Sequence, residues 1–330
     1  MAQILVTGGA GYIGSVITER LARRGDQPIV LDNFSQGHRQ ALPPGIEVVK
    51  DDLGETPAVE QIFGRHAIEA VVHMAAVSLV GESVRQPVRY YRENVANLLS
   101  LLEIMSRAGC RRIVFSSTAA VYGEPAQVPI GEDCPTIPVN PYGWTKLMGE
   151  RILADARSAG DGTGGALQFV SLRYFNVAGA TALSGEMHRP ETHLIPRLLE
   201  VALGERPYLE LYGDDYPTPD GTCIRDYIHV EDLAEAHLLA LDRTASAWGI
   251  YNLGNSRGYS VREVVECAAR ATQRNIPTGK RPRRPGDPPQ LVASHRKAAG
   301  ELGWRPRLTL EDMIRSAWEW RLRNPRGYTE

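Results

Sequence analysis

Short, mainly apolar runs alternate with amphipathic stretches through the first half of the chain. The runs are Ile4 to Val6, Pro28 to Leu31, Glu47 to Val49, Ala70 to His73, Arg112 to Ser116 and Leu167 to Arg173. Runs this short, with no polar alternation, predict strands covered on both faces, and helical patterns such as Tyr12 to Arg24 predict the crossovers between them. The expected fold class is therefore α/β, a doubly wound parallel sheet. After Asn176 the rhythm changes. Gly, Pro and Asp concentrate between Gly204 and Thr222, and helices are predicted over Val230 to Arg243, Val261 to Arg274 and Leu310 to Arg323. Ser260 with Glu263, and Thr309 with Asp312, supply N-terminal capping signals for the last two. We therefore expect one domain over 1–176 and a smaller mixed α/β domain over 177–330, with some segments of the second packing back on the first.

At 330 residues the chain is long for a single compact core. Its 39 acids exceed its 37 bases by only two. No global field thus favours nucleic acid or an anionic membrane, and partners must be read from local sites. The cluster Lys280-Arg281-Pro282-Arg283-Arg284 is the local exception, read as a phosphate clamp on a substrate. Cys110, Cys134, Cys223 and Cys267 are scattered, so reduced, mostly buried thiols and no metal are expected. That fits the cytoplasm. The first strand begins almost at Met1, leaving no room for a signal peptide, and no apolar run approaches a membrane helix in length.

The most specific chemistry lies at the start. Gly8, Gly11 and Gly14 form G-x-x-G-x-x-G directly after an apolar run. Gly8 permits a tight strand-to-helix turn, Gly11 lets the backbone approach a pyrophosphate, and Gly14 lets the helix pack closely on the strand. The phosphates would sit at the helix N-terminus. Asp32, roughly twenty residues on, is placed to bond an adenosine 2'-hydroxyl and repel a 2'-phosphate, so the reading is a Rossmann domain for NAD rather than NADP.

Asn140-Pro141 opens a further helix as cap and first residue, putting Tyr142 and Lys146 one turn apart on one face. A phenol titrates near pH 10, too high for a general base. Lys146 and an oxidised nicotinamide would together lower it by about two or three units net of desolvation. Thr118, at the end of the fifth strand, is the third candidate, its hydroxyl positioning or relaying the proton.

These motifs, with Leu31-Asp32-Asn33, His73-Met74-Ala75-Ala76, Arg173-Tyr174-Phe175-Asn176, Arg225-Asp226-Tyr227 and Arg284-Pro285-Gly286-Asp287 following in order, resemble the extended short-chain dehydrogenase/reductases, most closely the UDP-glucose 4-epimerases. The resemblance runs from the first strand beyond Trp304. It implies NAD contacts from Tyr12, Ile13, Asn33, Asp52, Leu53, Met74, Ala75, Ala76, Asn94, Ser116 and Tyr174, besides the glycines, Asp32, Tyr142 and Lys146. It implies UDP-hexose contacts from Asn176, His193, Leu194, Tyr212, Arg225, Arg284 and Asp287, besides Thr118 and Tyr142, and a homodimer. Leu291 falls where the family's residue lies beside the rotating sugar; a tyrosine there restricts the pocket, whereas smaller residues admit a 2-acetamido group. The chain departs from some relatives in carrying Thr118 for serine and Ser78 for a cofactor-facing lysine.

The resemblance implies a C4 oxidation and reduction through a 4-keto sugar, interconverting UDP-galactose and UDP-glucose, and the N-acetylated pair as well. Nucleotide-sugar 4,6-dehydratases and UDP-glucuronate decarboxylases begin with the same oxidation, but typically carry acids directly after the threonine. Here Ala119-Ala120 stand instead, which favours epimerisation. A silent NAD-sensing protein would need the glycines and Asp32 but neither Tyr142, Lys146 nor a hydroxyl at 118.

Overall fold

The computed structural model describes residues 1–160, 165–284 and 286–328. The strands are β1 (Gln3–Thr7), β2 (Gln27–Asp32), β3 (Glu47–Lys50), β4 (Ile68–His73), β5 (Arg112–Thr118), β6 (Gln168–Tyr174), β7 (Asn176–Ala178), β8 (Leu209–Tyr212), β9 (Ile224–His229), β10 (Gly249–Leu253), β11 (Gly258–Ser260), β12 (Thr278–Arg281) and β13 (Gln290–Leu291). Seven of them form one parallel sheet in the order β10-β6-β5-β4-β1-β2-β3. The expected doubly wound parallel sheet is present. All six strands expected in the first half form within a few residues of the predicted positions.

The order reverses between β1 and β4, and that switch point opens a crevice at the carboxyl ends of the strands. Thr7 pairs with both Leu31 and His73 there, while Thr118 pairs with Tyr174 two strands along. The glycine turn, the segment after His73 and the end of β5 therefore share one edge.

β10 joins this sheet from far along the chain. The helix Val230–Arg243 forms its crossover, burying Val230, Leu233 and Leu241 in the same core as Val16, Ile17 and Leu21 of the helix Tyr12–Arg24. The opposite face is covered by Leu98, Leu101, Ile104 and Leu153, packed on Leu5, Ile29, Val71 and Phe115. Each apolar strand thus meets helices on both sides, which its composition requires.

The remaining strands build smaller sheets. β9 is flanked by β7 and β13 in parallel and by β11 antiparallel, and β8 pairs with β12. They pack with the helices Leu194–Ala202, Val261–Thr272 and Leu310–Arg323 around Ile195, Leu198, Leu211, Val264, Met313 and Ile314. Both predicted capping boxes form. The second of these helices stops at Thr272, two residues before the expected end, because Gln273 turns left-handed with φ of 53°. Among the described residues no helix is long and apolar enough to cross a membrane.

Candidate active site

Backbone crowding fixes two of the three glycines. Gly8 has φ of +69°, and a Cβ there would lie 2.6 Å from the Ala75 nitrogen; at Gly14 it would lie 2.2 Å from the Gly8 carbonyl. Gly11 is different. A Cβ there would meet nothing nearer than the Gly8 oxygen at 3.3 Å, so the chain leaves room at the residue where a pyrophosphate is expected to approach. Asp32 is buried and accepts hydrogen bonds from Ala10 N at 2.9 Å and Phe34 N at 2.8 Å. Burial raises its pKa, the backbone amides of Phe34, Ala10 and Gly11 oppose that rise, and the carboxylate keeps a lone pair for a ligand hydroxyl.

The neighbouring expected positions converge on this crevice. Met74 N donates to the Thr7 carbonyl, holding Met74 and Ala75 against the glycine turn, and Ala76 is exposed beyond them. Asn33 Nδ2 donates to Asp52 Oδ2 at 2.7 Å, and Leu53 is buried behind that pair. Asn94 clasps the Val77 backbone through its amide and donates to Thr145 Oγ1 at 3.0 Å. Tyr12 donates from its hydroxyl to the Gly179 carbonyl at 2.6 Å, and Ile13 packs into the core beneath. These residues fit a dinucleotide: a roomy glycine, a helix N-terminus and a buried carboxylate beside it.

The helix Pro141–Ala159 starts as its residues dictate, with Asn140 Oδ1 accepting from Gly143 N at 2.9 Å. Gly143 and Gly149 allow it to lie close on β5, since a Cβ would come within 2.6 Å of the Ala120 carbonyl or 2.5 Å of the Phe115 ring. Tyr142 and Lys146 consequently face the strand end, where the Thr118 hydroxyl lies near enough to the phenol to favour its ionised form. Tyr142 keeps some exposure, yet burial pushes its pKa up to about 12, with the Thr118 hydroxyl acting downward. Lys146 is buried, and burial lowers its pKa to about 7. In the chain alone, removal from water dominates at Tyr142, and the group that opposes it is the Thr118 hydroxyl rather than the Lys146 ammonium; the expected lowering invoked an oxidised nicotinamide as well.

Behind these residues lies a supporting shell, in which sequence reading assigned roles only to Ser116 and Tyr174. Lys146 Nζ sits 5.0 Å over the Phe115 ring, whose far neighbour His73 is buried, bonded to Thr7 Oγ1 at 2.8 Å, and pushed down to about 3 by burial and by Lys146. Ser116 and Tyr174 share a hydrogen bond. Glu150, one turn beyond Lys146, receives Ser117 Oγ at 2.5 Å and a two-point contact from Arg173. The spacing 142, 146, 150 on one stripe was the available signal.

On the opposite wall, Arg225 pairs with Asp287 at 2.5 Å, and Arg284 lies 4.1 Å over the Tyr212 ring. The basic cluster is narrower as a clamp than expected, because Lys280, Arg281 and Arg283 are taken by Asp214, Glu210 and Asp215. Leu291 is paired in register with Arg225 and packs with Ala119, Tyr122 and Phe175, next to exposed Asn176. Leu194 turns toward the second core. The His193 ring is turned onto Glu186 and Glu191; burial opposes its charge, yet those carboxylates carry it up to about 10.

A glycine turn at a parallel switch point, with a tyrosine and a lysine one helical turn apart over the neighbouring strand end, defines a dinucleotide enzyme of the short-chain dehydrogenase/reductase class. The chain belongs to the NAD dependent epimerase/dehydratase family, whose model matches residues 4–254. It is 50% identical over 331 residues to the UDP-glucose 4-epimerase of Halalkalibacterium halodurans, covering 99% of this chain and 97% of that one. The UDP-glucose 4-epimerase of Brucella ovis, solved in complex with NAD, superposes with a TM-score of 0.92 at 45% identity, over 97% of this chain and 98% of its own. That of Bifidobacterium longum, solved with NAD+ and UDP, gives 0.94 at 39% identity, over 99% and 100%.

Proposed function

We propose that this chain epimerises C4 of UDP-hexoses, interconverting UDP-galactose and UDP-glucose and also UDP-GlcNAc and UDP-GalNAc, with NAD as a retained prosthetic group. The observation that carries this reading is the Tyr142–Thr118 contact on the crevice edge, one helical turn from Lys146, with Ala119-Ala120 where an elimination enzyme needs carboxylates.

Tyr142 takes the proton of the sugar 4-hydroxyl and later returns it, and Thr118 holds the same oxygen in line. NAD held by the glycine turn and Asp32 would supply a hydride acceptor and donor for C4, so that no net redox occurs. Of the chain's own groups, the Thr118 hydroxyl is the one that favours the ionised phenol. Arg225 and Arg284 grip the diphosphate, because planar guanidinium groups match phosphate oxygens, and this handle retains the 4-keto sugar while it turns over.

The 1–176 region serves as the NAD domain, completed by Val230–Arg243 and β10, and the rest of 177–330 holds the UDP-sugar. A homodimer is supported by apolar side chains left exposed on the helices Val80–Arg85, Pro87–Tyr91, Asn97–Arg107 and Pro141–Ala159: Val84, Val88, Leu99, Trp144 and Met148. Four free cysteines suit the cytoplasm. The test is to quantify NAD(H) released by denaturing the purified protein, then to incubate it with UDP-galactose and no added reductant. Ready loss of cofactor on dialysis, with stoichiometric NADH then required, overturns the reading.

A further inference from the structure

The segment between β7 and the helix Leu194–Ala202 carries Glu186, His188, Glu191 and His193 in the spacing E-x-H-x-x-E-x-H. Its fold brings all four side chains to one point: one donor atom from each lies within 4.8 Å of the others. We propose that this cluster binds one divalent transition-metal ion of the zinc class through two carboxylates and two imidazoles. This departs from the expectation of no metal, which weighed only cysteine spacing.

The donor set is right for such an ion, which takes histidine nitrogen and carboxylate oxygen together. So is the spacing. Ligands about 2.1 Å from a tetrahedral ion stand about 3.4 Å apart. His188 Nδ1 lies 3.4 Å from Glu186 Oε1 and 3.7 Å from Glu191 Oε2. That nitrogen is sealed from solvent, and among the described residues it makes no hydrogen bond of ordinary geometry. His193 Nδ1 is nearer, 2.9 Å from Glu186 Oε1 and 3.1 Å from Glu191 Oε1, distances at which a proton is shared and which must open slightly around an ion.

Two carboxylates with side chains only 8% and 9% exposed are held together here. Their repulsion needs a cation, which two protons or one divalent ion can supply. Glu191 is oriented independently of the imidazoles, since its Oε1 accepts from Thr192 N and His193 N, both at 2.8 Å. The cluster borders a cavity of about 390 Å³ that also meets Arg197, Arg206 and Arg321, but these three pair with Glu210, Glu200 and Glu205.

The position suggests what the ion does. Gln36 exchanges two hydrogen bonds with the Arg189 backbone, the Tyr12 ring meets His188 edge-on at 6.5 Å, and His193 is the cap of the helix Leu194–Ala202. An ion here clips the first helix after β7 to the residues around the dinucleotide turn, and so acts as a structural brace.

The test uses untagged protein dialysed against a chelator and then against metal-free buffer. Titration with Co2+, followed by visible absorption, and with Zn2+, followed by calorimetry, is expected to saturate at one ion per chain and to raise the melting temperature. His188→Ala and Glu186→Gln are each expected to weaken Zn2+ binding by at least roughly tenfold. Should either variant fold poorly, the ring resonances of His188 and His193 in the wild-type protein are followed by NMR, and both are expected to move with one equivalent of Zn2+. The proposal is overturned by a folded wild-type protein that takes up no stoichiometric Co2+ or Zn2+. Unchanged affinity in a folded variant, or ring resonances that stay put, overturns it equally.

Discussion

Arg173 on β6 closes a fork on Glu150, donating from Nε to Oε1 at 2.8 Å and from Nη2 to Oε2 at 2.5 Å. Both side chains are almost fully buried. The fork is part of a chain of bonds in which Arg173 Nη1 donates to the Tyr122 hydroxyl, which donates to Asn252 on β10. Glu150 also receives Ser117 from β5. Strands β5, β6 and β10 are thus tied to the helix that carries Tyr142 and Lys146, and the angle of that helix over Thr118 is set from beneath.

Removing one partner of a buried pair leaves the other charge without compensation. Glu150→Ala is therefore expected to cost about 3 to 5 kcal/mol of unfolding free energy, measured by urea denaturation. Replacing both residues with apolar ones of similar size should cost less than the single change, because no charge is stranded. A single-variant loss under about 1 kcal/mol would show that the fork is not the anchor.

Tyr142→Phe keeps the ring and loses only the hydroxyl beside Thr118. Folding and NAD content should stay near wild type, while turnover of UDP-galactose falls by at least roughly a hundredfold, as loss of a general acid/base does. Near-normal turnover in a coupled assay removes Tyr142 from the reaction.

Lys146 gives a pH prediction with a definite sign. Its folded pKa is lowered from 10.5 to about 7 by burial, so between those values the unfolded chain binds a proton that the folded chain does not. Stability of cofactor-stripped protein should therefore gain a contribution as pH rises from about 7 toward 10.5, and lose it as pH falls back through 7. Subtracting the denaturation profile of Lys146→Met from that of wild type isolates the effect. A flat difference, or one of opposite slope, contradicts a buried ammonium at this position.

Much of this was legible because local rules and tertiary packing agree. Tyr12–Arg24 and Leu310–Arg323 form over the residues their periodicity predicted, and Asn140 caps where its side chain predicts. β10 was not assigned to the main sheet, since a short apolar strand does not name its partner; only the helix Val230–Arg243 packing on the first core decides it. The Glu150–Arg173 fork was missed for the same reason, as the residues lie 23 positions apart on different elements. How strongly burial acts on Tyr142 was not legible, because depth in the fold cannot be read from charge spacing. The contact of the His193 ring with Glu186 was not legible either, since the two lie seven positions apart on irregular chain.

Leu291 offers a test of substrate breadth. It stands on β13 opposite Arg225 and is partly buried against Ala119, Tyr122 and Phe175, so its side chain lies between the diphosphate wall and the end of the strand that carries Thr118. A leucine at that boundary is shorter than a phenol, and wild-type protein is expected to turn over UDP-GlcNAc and UDP-GalNAc as well as UDP-glucose and UDP-galactose. Leu291→Tyr adds a ring at the position proposed to face a 2-acetamido group. It should lower kcat/KM for the N-acetylated pair by at least roughly tenfold while UDP-galactose turnover is retained, the scale of discrimination that pocket sterics supply. Equal losses on both pairs would point to a packing defect in the Ala119–Tyr122–Phe175 cluster rather than a gate. Absence of wild-type activity on UDP-GlcNAc would show that the pocket is already closed by something other than residue 291.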